Sequence, residues 1–156
     1  MGVPNTFASQ SGSIPLSQLD TNFATPVIIG NTSISLGQTV AGLGNVTITN
    51  QTVTNYTESV VTIGNSSTAT TIALDNGTVQ TVTMTGNCTF TMPTLVAGKS
   101  FILFVNSGSG GYTGTFTSVK WSSGSAPTLT ASASKTDILT FACDGSYWYG
   151  VYSQNF

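Results

Sequence analysis

The sequence predicts an all-β fold: an N-terminal extended arm and short β stalk, then a C-terminal β-sandwich of jelly-roll-like form. Three observations predict it. The 156 residues suffice for one compact domain plus an appended segment. Charged residues make up only 5% and hydrophobic ones 39%, while Val, Ile, Thr and 10% aromatics suit pleated, half-buried surfaces. Disordered chains are charge-rich and poor in those types, so low charge here is a β signature. Finally, turn chemistry recurs between short apolar runs from residue 59 onward.

The arm comes first. Pro4, Pro15 and Pro26 punctuate it, with Ile14, Leu16, Leu19 and Phe23 as isolated apolar anchors. Ser17 is placed to cap one helical turn, but three prolines favour an extended segment that docks on something else. Between Val27 and Thr57 the chain reads as short alternating pieces, Ile34-x-Leu36, Val40, Val46-x-Ile48 and Val53, spaced by Gly30, Gly37, Gly42 and Gly44. Each piece is too short to stand alone, so neighbouring copies should complete it, as in an intertwined trimeric stalk. Residues 1–58 are therefore read as attachment arm and oligomerising stalk, and 59–156 as the head.

In the head, strands are expected near Val60–Ile63, Thr70–Leu74, Thr78–Met84, Thr89–Met92, Ser100–Asn106, Gly114–Trp121, Thr136–Ala142 and Tyr147–Tyr152. Asp75-Asn76-Gly77, Ser107–Gly111 and Asp144-Gly145 supply the turns, the second read as a hairpin loop. Phe101-Ile102-Leu103-Phe104-Val105 is apolar on both faces, which predicts a central strand covered on each side. Trp148 should point opposite to Tyr147 and Tyr149. Val27–Ser33 and Val61–Ser67 are alike, each with a strand running into Gly-Asn, which reads as coincidence or a shared local hairpin rather than a repeat array.

Composition excludes several functions. Histidine is absent, so no Ser-His-Asp or Cys-His arrangement exists, and acid–base work would fall on Asp20, Glu58, Asp75, Asp137 and Asp144. Those five are scattered. Asp75 and Asp144 precede turn residues and are read as turn formers, Asp137 as the solvated start of a strand, and Glu58 as the stalk-to-head junction. No enzyme, cofactor or metal site is expected. With Lys99, Lys120 and Lys135 as the only basic side chains and a net charge of -2, neither nucleic acid nor an anionic membrane is an expected partner. No apolar run approaches the roughly 18 residues of a membrane span, and the N-terminus lacks the charged and apolar regions of a secretion signal, so folding in the cytoplasm where the chain is made is expected.

Cys88 and Cys143 lie in strand-like runs without metal-ligand spacing, and are read as buried small hydrophobes, with a disulfide as the alternative that their separation decides. Asn-x-Ser/Thr triplets, such as Asn31, Asn65 and Asn87, follow from a composition rich in those residues. The one constellation suited to a ligand is aromatic: Trp121, Tyr147, Trp148, Tyr149 and Tyr152. Rings on a sheet face serve a core, a subunit contact or a sugar platform, and the first two are favoured in an assembling protein.

Val3-Pro4-Asn5-Thr6-Phe7-Ala8 and Ile14-Pro15-Leu16-Ser17-Gln18-Leu19-Asp20-x-Asn22-Phe23-Ala24 resemble the start of small virion proteins of tailed bacteriophages, of tail-fibre or tail-associated type. The stretches Asn76–Thr81, Thr89–Pro93, Ala97–Phe101, Val119–Trp121, Asp137–Phe141 and Asp144–Gly150 are similar to the β-rich C-terminal domain of structural proteins from phages of aquatic bacteria. The resemblance implies a non-enzymatic virion subunit, a homotrimer whose arm binds other virion proteins, located on the particle. It brings no catalytic residues. Two further readings accompany it: a capsid-decorating cement or knob protein, since a stalk of about 58 residues is short for a host-reaching fibre, and a carbohydrate-binding adhesin that touches a host surface glycan.

Overall fold

A computed structural model describes residues 5–8, 11–35, 37–50 and 52–156. The chain divides into two compact units, 1–54 and 55–156, which are described separately.

The first unit departs from an extended arm, because its prolines bracket a helix instead of interrupting one. Leu16–Ala24 forms helix α1; Pro15 precedes its first turn, where a missing N–H costs nothing, and Pro26 lies beyond its end. Ser17 makes no cap, and Thr21 and Thr25 instead donate their hydroxyls to the carbonyls of Ser17 and Thr21, both at 2.7 Å. Strands β1 (Val27–Ile29) and β2 (Thr32–Ile34) form an antiparallel hairpin over Gly30-Asn31, with Gly30 at φ 64° as a two-residue turn requires. The other expected stalk pieces, Val40, Val46–Ile48 and Val53, form no strand within one chain, and Leu36 lies outside the described residues. No described residue of this unit is buried.

The second unit is largely β. Its strands are β3 (Val60–Asn65), β4 (Ala69–Thr71), β5 (Val79–Thr83), β6 (Cys88–Thr91), β7 (Ser100–Asn106), β8 (Gly114–Phe116), β9 (Val119–Trp121), β10 (Thr136–Cys143) and β11 (Trp148–Ser153). They form a six-stranded mixed sheet, in the order β3-β5-β7-β10-β11-β9, and a three-stranded parallel sheet, β4-β6-β8. Successive strands from β3 to β8 alternate between the sheets, and within each sheet they pair in parallel. The chain thus winds three coils, stacking Val60 beside Val79 and Val79 beside Ile102. Only β7, β10 and β11 follow the antiparallel order of a jelly roll.

Two expectations fail for one reason. The predicted Gly114–Trp121 strand is two strands in different sheets, because Ser118 sits at φ 56°, a left-handed conformation that an extended strand cannot contain. Likewise Ser107–Gly111 is a coil corner joining different sheets rather than a hairpin loop. Asp144-Gly145 does turn the β10–β11 hairpin. The likeness of Val27–Ser33 to Val61–Ser67 is local: the first is a hairpin, the second a strand whose register shifts between Thr62 and Gly64.

Both sheets feed one core, containing Ile72, Val82, Phe90, Phe101, Leu103 and Phe116 together with Leu139, Phe141 and Trp148. Phe90 stacks on Phe116 at 4.9 Å and Phe101 on Phe141 at 4.6 Å, while Phe116 approaches Phe141 across the sheets at 5.8 Å. Burying such side chains is the main stabilising term, about 1.5–3 kcal/mol each. Cys88 and Cys143 are buried free thiols within it. Strand β7 is central, but only Phe101, Leu103 and Val105 are buried; Ile102 and Phe104 stay partly exposed, so one chain does not supply cover on both sides.

Candidate functional site

The five aromatic candidates converge on the β9–β11 edge, where strand alternation sorts them to opposite faces. Trp148 belongs to the core: it is 1% exposed, meets Phe101 edge-on at 5.2 Å, and donates its indole N–H to the Pro93 carbonyl at 2.9 Å. It is thereby removed from any ligand face. Trp121 is half-buried, with its ring edge-on to Phe116 and Phe141 at 5.5 and 5.6 Å. Its place depends on Gly150, where an added Cβ would lie 2.5 Å from the indole. Tyr152 continues the inner side at the sheet end, exposed, with its ring 6.1 Å from that of Trp121. Beside it runs an open groove lined by Ser122, Ser123, Ser125 and Val151.

Tyr147 and Tyr149 face outward, 46% and 44% exposed. Sequence reading missed their polar partners. Lys120, paired in register with Tyr149, lays its ammonium over the Tyr147 ring at 3.4 Å and lies 6.0 Å from the Tyr149 ring. Asp144 accepts the N–H groups of Ser146 and Tyr147 at 2.7 and 2.8 Å, which holds its carboxyl below the usual range, and it accepts the Tyr149 hydroxyl at 3.0 Å. That last bond raises the phenol above its ordinary value, because losing the proton would set two anions together. Asp144 is thus a turn former that also orients a ring; the available signal was Asp144 preceding Gly145 and standing five residues before Tyr149.

Asp137 differs from expectation. It is 2% exposed rather than solvated, and its carboxylate accepts the Thr130 N–H at 2.7 Å, the Thr130 hydroxyl at 2.6 Å, the Asn155 N–H at 3.0 Å and the Gln154 amide at 3.2 Å. Burial pushes its pKa up, but the bonds from Thr130, Asn155 and Gln154 outweigh it and leave the carboxyl below its ordinary value. Asp137 ties the Thr130 loop to the C-terminal segment, so its charge serves folding. Thr78 donates its hydroxyl to Glu58, which anchors that carboxylate to the second unit.

A groove between Leu74, Pro93 and Val96 carries Asp75 and Lys99, and another beside Tyr56 carries Glu58; each has one carboxylate. Among the described residues no three His, Cys, Asp or Glu side chains gather as metal ligands, and no helix is long and apolar enough to cross a membrane. No family model, curated protein or solved structure matches the chain.

Proposed function

We propose that the chain is a non-enzymatic structural protein of a tailed-phage virion, a short trimeric tail-fibre or appendage subunit. Its first unit attaches to other virion proteins, and its second, read as a β-sandwich wound from parallel coils, projects outward. One observation carries the reading: no described residue of 1–54 is buried, yet Leu16, Phe23, Val27, Ile28, Ile48 and Val53 are all exposed. Apolar side chains stabilise only when removed from water, so such a unit requires neighbours to cover it. Among the described residues Asp20 is its only charge, so copies pack without like-charge repulsion. The scattered, hydrogen-bonded carboxylates support the absence of catalysis.

Light scattering of the purified chain tests self-association, with a trimer expected. A stable monomer whose first 54 residues are rapidly digested would end the trimer reading. Antibody labelling of intact particles, viewed by electron microscopy, tests the virion assignment and separates a tail appendage from a capsid-decorating knob. The brevity of residues 1–54 favours the knob. The exposed Tyr147 and Tyr149 favour a sugar-binding module, which a glycan array with a Tyr149→Ala control addresses. Binding that this substitution leaves unchanged would remove that site.

A further inference from the structure

The six-stranded sheet has one face in the core and one outward. Register places Val60, Val79, Ile102, Thr140 and Val151 in a single row across β3, β5, β7, β10 and β11, all on the outward side. Thr81, Phe104 and Ile138 form the next row. Five strands therefore present a β-branched and aromatic surface where a solvated antiparallel face would normally alternate to polar residues. Strand β7 shows this most plainly, since all of Phe101-Ile102-Leu103-Phe104-Val105 is apolar while only alternate residues are buried.

We propose that this outward face is a contact between copies of the chain, occupied by the same face of a neighbouring copy. The proposal rests on the reading of the chain as a self-assembling subunit and adds a contact separate from residues 1–54.

Charge identifies the occupant. The outward positions of β3, β5, β7, β10 and β11 hold no charged side chain; the first one met is Lys120 on edge strand β9, and its ammonium already lies over Tyr147. A partner with charges at its centre would have to desolvate them against Val, Ile and Thr with no compensation, whereas an identical uncharged face incurs no such cost. Size agrees. Six strands at about 4.8 Å spacing and roughly 17–26 Å length give a footprint on the order of 500 Å² before side-chain relief, comparable with the roughly 800 Å² of accessible surface per partner in a standard interface. The sheet edges are poorer contacts: β9 is three residues long and carries Lys120, while β3 is bulged.

The test uses the full-length chain in sedimentation velocity over a wide concentration range. Thr140→Lys, at the centre of the row on an exposed position, should weaken assembly at least ~100-fold, since face-to-face packing would bury unpaired like charges. Val151→Lys, also exposed, should act in the same direction and guards against a folding defect at one site. Thr89→Lys, exposed on the three-stranded sheet, should leave assembly unchanged. Folded Thr140→Lys and Val151→Lys variants that assemble like the parent would overturn the proposal. If Leu16→Asp with Ile28→Asp disrupts assembly while the lysine variants do not, association through residues 1–54 stands and this face is excluded. A parent that stays monomeric at every concentration removes both and leaves the face to a different protein.

Discussion

The two units spend similar residues to opposite effect. Residues 55–156 place Phe90, Phe101, Phe116, Phe141 and Trp148 at alternate positions of strands that two sheets close over, and all are buried. Residues 1–54 hold Ile14, Leu16, Phe23, Ile28 and Ile48, equally apolar, yet each is exposed. Element length separates them: a nine-residue helix and two three-residue strands offer no second layer to close against. The described bonds that hold the first unit are largely polar, with Asn5 N–H donating to the Asn22 side chain at 2.9 Å, Asn22 returning a bond to the Asn5 carbonyl at 3.0 Å, and Asn31 N–H donating to the Gly44 carbonyl at 3.0 Å. Hydrophobicity in a sequence therefore reports a core only where topology encloses it.

Removing a ring from the enclosed core should give the largest effect. Phe141 is buried between Phe101, Phe116 and Trp121. Phe141→Ala should cost about 3–5 kcal/mol, a large share of the roughly 5–15 kcal/mol that stabilises a typical domain. Urea unfolding followed by circular dichroism would show the midpoint fall, and an unchanged midpoint would mean that the two sheets do not close on this ring.

Asp137 tests whether the enclosure also depends on polar groups. Asp137→Ala strands the Thr130 and Asn155 N–H groups and should cost about 1–3 kcal/mol. Acid should produce part of that loss in the unmodified chain. The folded carboxyl titrates below its ordinary value of 3.8, so its contribution is present above that value and lost as pH falls through the lower, folded value. Asp144, also lowered, acts in the same direction. The melting temperature should hold steady from neutral pH to about pH 5 and fall below about pH 4, with a shallower fall in Asp137→Asn. Equal acid sensitivity in that variant would assign the effect elsewhere.

Much of the second unit was legible in the sequence, since period-two alternation gives strand and face together: Trp148 opposing Tyr147 and Tyr149 follows from spacing alone. Pairing was not, because parallel and antiparallel neighbours impose the same alternation on a strand. The coils did leave a trace, in Val61-Thr62-Ile63-Gly64-Asn65 before Ser66 and Val82-Thr83-Met84-Thr85-Gly86-Asn87 before Cys88, both at coil corners. At the aromatic edge, the rings were evident but Lys120 and Asp144 were not, since their roles depend on a parallel strand and a hairpin that meet only in the fold. Asp137 was misread because a charge beside Lys135 and Thr136 reads as solvated, and its partners Thr130 and Asn155 come from segments without a regular pattern.

The smallest expected effect completes the contrast. Phe23→Ala deletes a ring as large as that of Phe141, but from an exposed position beside Val27, Ile29 and Ile34. At dilution sufficient to keep the chain monomeric, it should change urea unfolding of the second unit by less than about 0.5 kcal/mol. At concentrations where copies assemble, the same substitution should weaken association, because the ring then leaves water only in the complex. A loss of stability in the monomer comparable to that of Phe141→Ala would show that the first unit has a closed core of its own, and the difference between the units would then be one of degree.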